Sequence, residues 1–490
     1  MSGDSIFKSA FVLMAGRALG FAAAFAIPVV LARLLSKSDY GTYKQLFLVY
    51  GTLYSIGQVG MAESLFYFLP AAGQKAGRYV LNAMLVLALS GVAFAAVLWG
   101  AQHYLAAWLN NPALIDRLPL VGIYLMLMLQ AAVLEITMIS RKRYFHAFLS
   151  YVLSDLAKAV LLVLPVLWMG ELQWLLYGAI AVAAMRLVAT LIYLRGQFGR
   201  GLAFDGGLTR AQFLYAGPFS LYVLIEVAQG SIHLYAVSYF FDSATYAAYA
   251  VGCLSIPLVE FLTGSAGNVM MVRMRERLQE GAGAAVLAIW RDTTRKLMLI
   301  FAPLVGCLLV AAHPLIVGLF TRRYEESVPV FMVWELIILF AGLLTDSVLR
   351  VYSQIPFLMG LGLIKLALVG TGIGWFMSTF GLVGAAMTVV IVAAVIKIMA
   401  LAKIRLVMQC TLADFLPWRG LLATGIAAAA AALPALAVKS QLTLPPLLAL
   451  LVIATVYAGC YLAIAWHFGL ISHEEKRALT GWRPWPAKAG

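Results

Sequence analysis

Charged residues are scarce in this chain. Asp, Glu, Lys and Arg make up 11% of its 490 residues, against about 25% in soluble domains. A water-soluble fold of this length would lack the polar side chains to cover itself, which excludes a cytosolic enzyme. Cysteine is scarce too. Cys253, Cys307, Cys410 and Cys460 lie in or beside apolar runs, at spacings that fit neither a metal site nor a disulfide framework, and read as small apolar residues. The chain has no GxxxxGK[ST], hence no phosphate loop for ATP hydrolysis. It has no HExxH either: His473-Glu474-Glu475-Lys476-Arg477 lacks the second histidine. Gly370, Gly372 and Gly374 have dinucleotide-like spacing, but no strand precedes them, and they read as helix-packing surface, as do Gly16 and Gly20.

Apolar residues are what the chain has in excess, at 63% with a mean hydropathy of +0.93. A membrane span needs roughly 20 apolar residues. Fourteen such runs can be read, with cores near 9–33, 42–70, 79–101, 118–140, 146–168, 173–194, 212–240, 244–271, 295–319, 328–350, 353–376, 380–402, 417–438 and 443–467. They are too long and too uniformly apolar for barrel strands. The expected fold class is therefore an all-α polytopic membrane protein. The first run follows Lys8 and resembles a leader, but Arg17 and its length favour a retained span.

The net charge of +14 would suggest nucleic acid in a soluble protein; here it sorts by side of the membrane. With both termini inside, 23 of the 35 Lys and Arg fall in inside segments, 7 in outside segments and 5 within spans. Cytoplasmic loops carry that excess, so the expectation is N-in and C-in, with no nucleic-acid partner. Residues 284–290, flanked by Arg277 and Arg291, read as a helix on the cytoplasmic surface. Ser472 with Glu475 fits a capping box.

A faint repeat divides the chain. Residues 31–43 resemble residues 237–249, with Tyr40 and Tyr43 falling on Tyr246 and Tyr249. Each stretch joins the first two spans of a six-span unit, as in parallel-repeat transporters. The expected organisation is an N-terminal lobe at 1–194, a cytoplasmic linker at 195–211, a C-terminal lobe at 212–404, two further spans at 405–468 and a cytoplasmic tail at 469–490.

With no catalytic signature, chemistry is sought in charge within spans, where each ionised group costs at least about 2.5–3.5 kcal/mol and faces a partner or a watery cavity. Arg17, Glu63, Glu135, Asp155, Lys158 and Arg186 occupy the first lobe; Glu226, Glu260, Glu335, Asp346, Arg350, Lys365 and Lys397 the second. Asp155 with Lys158, and Asp346 with Arg350, have helix-face spacings at which they can neutralise each other. Glu63, Arg350, Lys365 and Lys397 near span ends can also snorkel. Arg17 and Arg186 have no partner on their own helices. A guanidinium stays charged and suits phosphate, so these two are the first candidates for gripping an anion. Glu226, with Gln229 and His233 following on the same helix, is either a proton or cation carrier or a helix-packing carboxyl.

Arg33-Leu-Leu-Ser-Lys-Ser-Asp39-Tyr40-Gly41-Thr-Tyr43, followed by Gly60-Met-Ala-Glu-Ser-Leu-Phe-Tyr-Phe-Leu-Pro70, resembles the opening of polysaccharide transporters of the MOP superfamily, the Wzx-type flippases of lipid-linked oligosaccharides. The resemblance implies two six-helix lobes plus two C-terminal helices, alternating access, and a substrate of undecaprenyl-pyrophosphate carrying a sugar repeat unit, for exopolysaccharide, capsule or O-antigen synthesis. It implies a bacterial cytoplasmic (inner) membrane, contact with membrane lipid, and polysaccharide polymerase and glycosyltransferases as partners. Gly16-Arg17-Ala18-Leu19-Gly20-Phe21 is also similar to the first-span motif of lipid II flippases, and Asp39 matches their acidic residue entering span 2. A second arginine of that motif has no counterpart, since Ala23 occupies the region, and a basic residue of their second span finds Thr52 or a neighbour.

On this reading Arg17, Arg186, Arg350, Lys365 and Lys397 hold the pyrophosphate or line the cavity. Asp39, Glu63, Glu135, Asp155, Lys158, Glu226, Glu260 and Asp346 balance charge or couple transport to a proton or sodium gradient. No catalytic residue, metal or resident cofactor is expected. The alternatives are a multidrug exporter of the same superfamily, a lipid II flippase, and, with less support from such small external loops, a glycan polymerase or ligase.

Overall fold

The computed structural model describes residues 25–472 and 475, apart from the Phe219 side chain. No strand occurs among them. The helices are α1 (Phe25–Leu34), α2 (Lys37–Gly57), α3 (Met61–Phe68), α4 (Ala76–Gly100), α5 (Gln102–Trp108), α6 (Leu118–Ala131), α7 (Val133–Ser140), α8 (Tyr144–Met169), α9 (Leu172–Phe198), α10 (Gly206–Phe240), α11 (Ser243–Gly252), α12 (Pro257–Gln279), α13 (Gly283–Phe320), α14 (Ser327–Trp334), α15 (Ile337–Ala341), α16 (Thr345–Val351), α17 (Ile355–Met408), α18 (Leu412–Phe415), α19 (Trp418–Gln441) and α20 (Pro446–His467).

Among the described residues ten helical stretches are long and apolar enough to cross a membrane, and an eleventh if α11 and α12, bent by 49° at their break, are one span. Besides the α11–α12 break, the difference from fourteen has three sources. Most of the first span lies outside the described residues. The second is broken into α2 and α3 at Gln58–Gly60, where Val59 and Gly60 have φ of 47° and 62°. Spans 11 and 12 run on as α17, whose 54 residues are interrupted at Gly381 (φ 59°, ψ −139°). Residues 284–290 form the first turns of α13 instead of a separate surface helix. Trp290 there is fully buried and donates from Nε1 to the Phe415 carbonyl at 3.1 Å, which draws this segment into the core.

The chain packs as two compact units. One takes in the chain through Val251 with Gly362–Thr388; the other takes in Gly252–Leu361 and the chain from Val389 onward. The packing boundary thus follows Val251, while the 195–211 segment docks within the first unit. Asn82 Nδ2 donates to the Asp205 carbonyl at 2.8 Å and Asn82 Oδ1 accepts from the Asp205 amide at 3.1 Å. Asp205 then caps α10, accepting from the amides of Gly207 and Leu208. Those amides, with Arg78 at 3.3 Å, hold its carboxyl below the usual aspartate range.

The repeated stretches have the same local structure. Ser36 caps α2, accepting from the Asp39 amide at 3.1 Å. Asp242, its counterpart, meets the amide of Thr245, the counterpart of Asp39, at 2.8 Å. Tyr40, Tyr43, Tyr246 and Tyr249 are all buried. The two helix starts meet: Ser38 and Ser243 share a 2.8 Å hydroxyl hydrogen bond, and a Cβ on Gly41 would lie 1.7 Å from the Ser243 carbonyl oxygen. Only glycine fits at that point of the Ser-Asp-Tyr-Gly motif.

In the second unit α13, α19 and α20 pack together. Ala427, Ala428, Ala431 and Ala435 give α19 a small buried stripe. Tyr457 presses on Gly306 and donates to the Ala428 carbonyl at 2.8 Å. The last two helices therefore build one of the core clusters of this unit. At its edge Ser472 and Glu475 form the reciprocal capping contacts of 2.8 and 3.3 Å, and the Glu475 carboxylate pairs with Arg295 of α13.

Candidate functional site

Helices α7, α8 and α9 wall a cavity of about 320 Å³ in the first unit. Leu134, Met138, Leu149, Leu153, Val182 and Met185 make it mostly apolar, with Arg186, Ser150, Ser154 and His146 as its polar lining. Arg186 Nη2 donates to both Glu135 oxygens, at 2.9 and 3.0 Å, and Ser150 Oγ donates to Oε1 at 2.8 Å. The Glu135 side chain is 5% exposed and that of Arg186 16%. The arginine Nε is buried without a hydrogen-bond partner. A guanidinium is thus locked in place by one carboxylate with donor capacity unspent, in surroundings where an unmade hydrogen bond costs about 1–3 kcal/mol. Arg186 has no partner on its own helix; its partner is on α7.

The other expected site residues are dispersed. Arg17 lies outside the described residues. Asp155 and Lys158 on α8 are half-buried and form no ion pair with each other. Asp39 accepts from the Ser36 hydroxyl at 2.7 Å, so its local work is to start α2. Glu63 on α3 is half-buried, with Oε2 lacking a partner. Glu226 on α10 is exposed, whereas His233 two turns on is buried and bonds the Tyr249 hydroxyl at 2.8 Å; the two do not form one site. Lys365, half-buried, belongs to the 362–388 segment that meets α10 where Gly362 approaches Ile225.

In the second unit Lys397 donates to Thr345 Oγ1 at 2.8 Å and to the Leu343 carbonyl at 3.1 Å, with Asp346 Oδ1 at 3.7 Å. It therefore satisfies backbone freed by the break between α15 and α16. Arg350 is exposed and lines a groove of about 520 Å³ with Arg275, Glu276 and Gln279. Glu260 on α12 is exposed.

Three features fall outside the sequence-based candidates. Ser150 completes the Glu135 site, and a lone serine in a span carries no signal. Gln45, Thr42, Asn111 and Ser238 form a buried network in the first unit: Asn111 Nδ2 donates to Gln45 Oε1 at 2.6 Å and Thr42 Oγ1 at 2.8 Å, and Gln45 Nε2 to Ser238 Oγ at 2.7 Å. Glu335, counted among the span charges but given no role, is 1% exposed and its Oε1 has no partner.

Tyr40, Tyr43, Phe47, Tyr50 and Tyr54 run along α2 at alternating spacings of three and four, so they share one face. Successive rings lie 4.8–5.9 Å apart, and Tyr124 of α6 lies tilted beside Tyr50 at 4.5 Å. Lys44 lies 5.7 Å from the Tyr40 ring centroid.

A sequence model of the family described as polysaccharide biosynthesis protein matches residues 30–329. No curated protein matches the chain. Among solved structures, the lipid II flippase MurJ in an inward closed conformation superposes with a TM-score of 0.73 over 94% of this chain and 99% of its own, at 11% identity. An inward-facing multidrug resistance MATE transporter of the MOP superfamily superposes with a TM-score of 0.64 over 80% and 94%, at 15% identity. A MOP superfamily transporter from Pyrococcus furiosus gives 0.57 over 82% and 95%, at 14% identity. At such identities the likeness is one of fold.

Proposed function

This chain belongs to the polysaccharide biosynthesis protein family, and from that premise we propose that it is a flippase carrying an undecaprenyl-pyrophosphate-linked oligosaccharide repeat unit from the cytoplasmic to the outer leaflet of the bacterial inner membrane. Its fold is that of MOP-type membrane transporters. The observation that carries the reading is Arg186, fixed by Glu135 at the wall of an apolar cavity with a buried donor unspent. A pyrophosphate crossing hydrocarbon needs cations in place of its water, and the apolar walls suit lipid. Arg17 and Lys365 join Arg186 in holding the anion. Arg350, with Arg275 beside it, gives a first cationic contact, and Lys397 keeps the span holding Asp346 in register. Glu135 balances the charge of Arg186 so that the anion is released again. Asp155, Lys158, Glu63, Glu226 and Glu260 are the groups through which a proton or sodium gradient would act. The two six-helix lobes of the repeat alternate access with both termini inside, and polymerase and glycosyltransferases work on either side of the step.

The test is complementation of glycan export together with translocation by purified protein. Arg186→Ala at normal abundance is expected to abolish both; full complementation would remove Arg186 from the mechanism. A drug-efflux function, the rival reading, predicts drug sensitivity on deletion with glycan export intact.

A further inference from the structure

The first unit carries an aromatic platform that the phosphate chemistry leaves unused. Tyr67 of α3 and Tyr215 of α10 stack almost parallel, with centroids 4.4 Å apart and an interplanar angle of 18°. Phe68 stands edge-on to both, at 5.0 and 5.5 Å, and stacks on Tyr79 of α4 at 4.9 Å. Tyr67 is 61% exposed and Tyr215 48%, and neither hydroxyl has a hydrogen-bond partner among the described residues.

The scaffold beneath is built for position. The Gln58–Gly60 break sets α3 against α10, with a Cβ on Gly60 coming within 3.0 Å of Ala216 Cβ, next in chain to Tyr215. Gln212 Nε2 donates to Ser64 Oγ at 3.1 Å, three residues before each tyrosine of the pair.

We propose that Tyr67 and Tyr215 form a subsite for a sugar ring of the transported glycan. This rests on the flippase reading and names the part of the substrate the subsite takes. Pyranose rings present apolar C–H faces to an aromatic plane and hydroxyls at their rim. Two rigid, exposed rings with unspent hydroxyls match both. Aromatic rings at a membrane interface also serve as simple anchors, and an anchor has no preference for sugar.

The experiment uses full-length protein in nanodiscs and two probes: undecaprenyl pyrophosphate without sugar, and the lipid-linked oligosaccharide pool extracted from cells making the glycan. Tyr67→Ala and Tyr215→Ala are each expected to weaken binding of the sugar-bearing lipid about tenfold, or 1.4 kcal/mol, and to leave binding of the bare lipid unchanged. Tyr67→Trp keeps the ring and retains most of the affinity. Equal losses for both lipids, or no loss, would overturn the subsite. Failure of the wild type to bind either lipid would refute the flippase reading itself.

Discussion

Glu135→Leu removes the carboxylate that Arg186 meets at hydrogen-bond distance, from a side chain only 5% exposed. The guanidinium, 16% exposed, then stays charged among apolar helices. Breaking one side of such a buried pair costs about 3–5 kcal/mol, whereas replacing both partners with apolar residues of similar volume is often neutral or stabilising. Arg186→Met should cost less than Glu135→Leu, because Glu135 keeps the Ser150 donor and can take up a proton. The double variant should recover most of the loss. A double-mutant cycle, read by thermal unfolding of the purified protein in one detergent, should therefore give a coupling of at least about 3 kcal/mol. All three variants should fail in glycan export, the double variant while stable. Single-variant losses that add within about 0.5 kcal/mol would show that the pair is not coupled. A stable double variant that still exports glycan would show that the pair is structural only.

Gly41→Ala places a Cβ 1.7 Å from the Ser243 carbonyl oxygen and should lower stability by at least about 1–3 kcal/mol. Gly51→Ala on the same helix meets nothing within 4 Å and should raise stability by roughly 0.5–1 kcal/mol; both are read as shifts in unfolding temperature. Trp290→Phe leaves the Phe415 carbonyl without its donor and should cost about 1–3 kcal/mol, with a lower unfolding temperature at unchanged abundance. The lowered pKa of Asp205 means that its charged form stabilises the start of α10. That contribution is present above the unfolded value of about 3.9 and is lost as pH falls from there through the lower folded value. Protease cleavage at 195–211 should rise as pH falls through this window in the wild type, and should already be high at neutral pH in Asp205→Ala; cleavage equal to wild type at neutral pH would refute the capping role.

Long apolar runs are legible because a span must satisfy its backbone internally, and α4, α8, α9, α19 and α20 lie where those runs fall. The breaks were harder. Gly60 and Gly381 adopt positive φ, yet many other glycines in these spans stay helical, and composition does not separate the two. The capping box at Ser472 is local and readable. Pairings across the chain are not: Arg186 finds Glu135 51 residues away, and Gln45 finds Ser238 193 residues away. Lys397 is explained by a carbonyl on a different helix, which exists only because the helix before it is broken. Charge within spans singles out residues that need a partner, while packing decides which of them are already occupied with structure.

The proposed activity is movement of an intact lipid-linked glycan between leaflets. Purified protein in liposomes, loaded on one leaflet with undecaprenyl-pyrophosphate-linked oligosaccharide, should make that glycan accessible to an impermeant oxidant or lectin on the other side, with the lipid–sugar bond unbroken and the rate lost in Arg186→Ala. Glycan that stays on its original leaflet, or appears on the other only after cleavage or transfer from its lipid, would contradict the account.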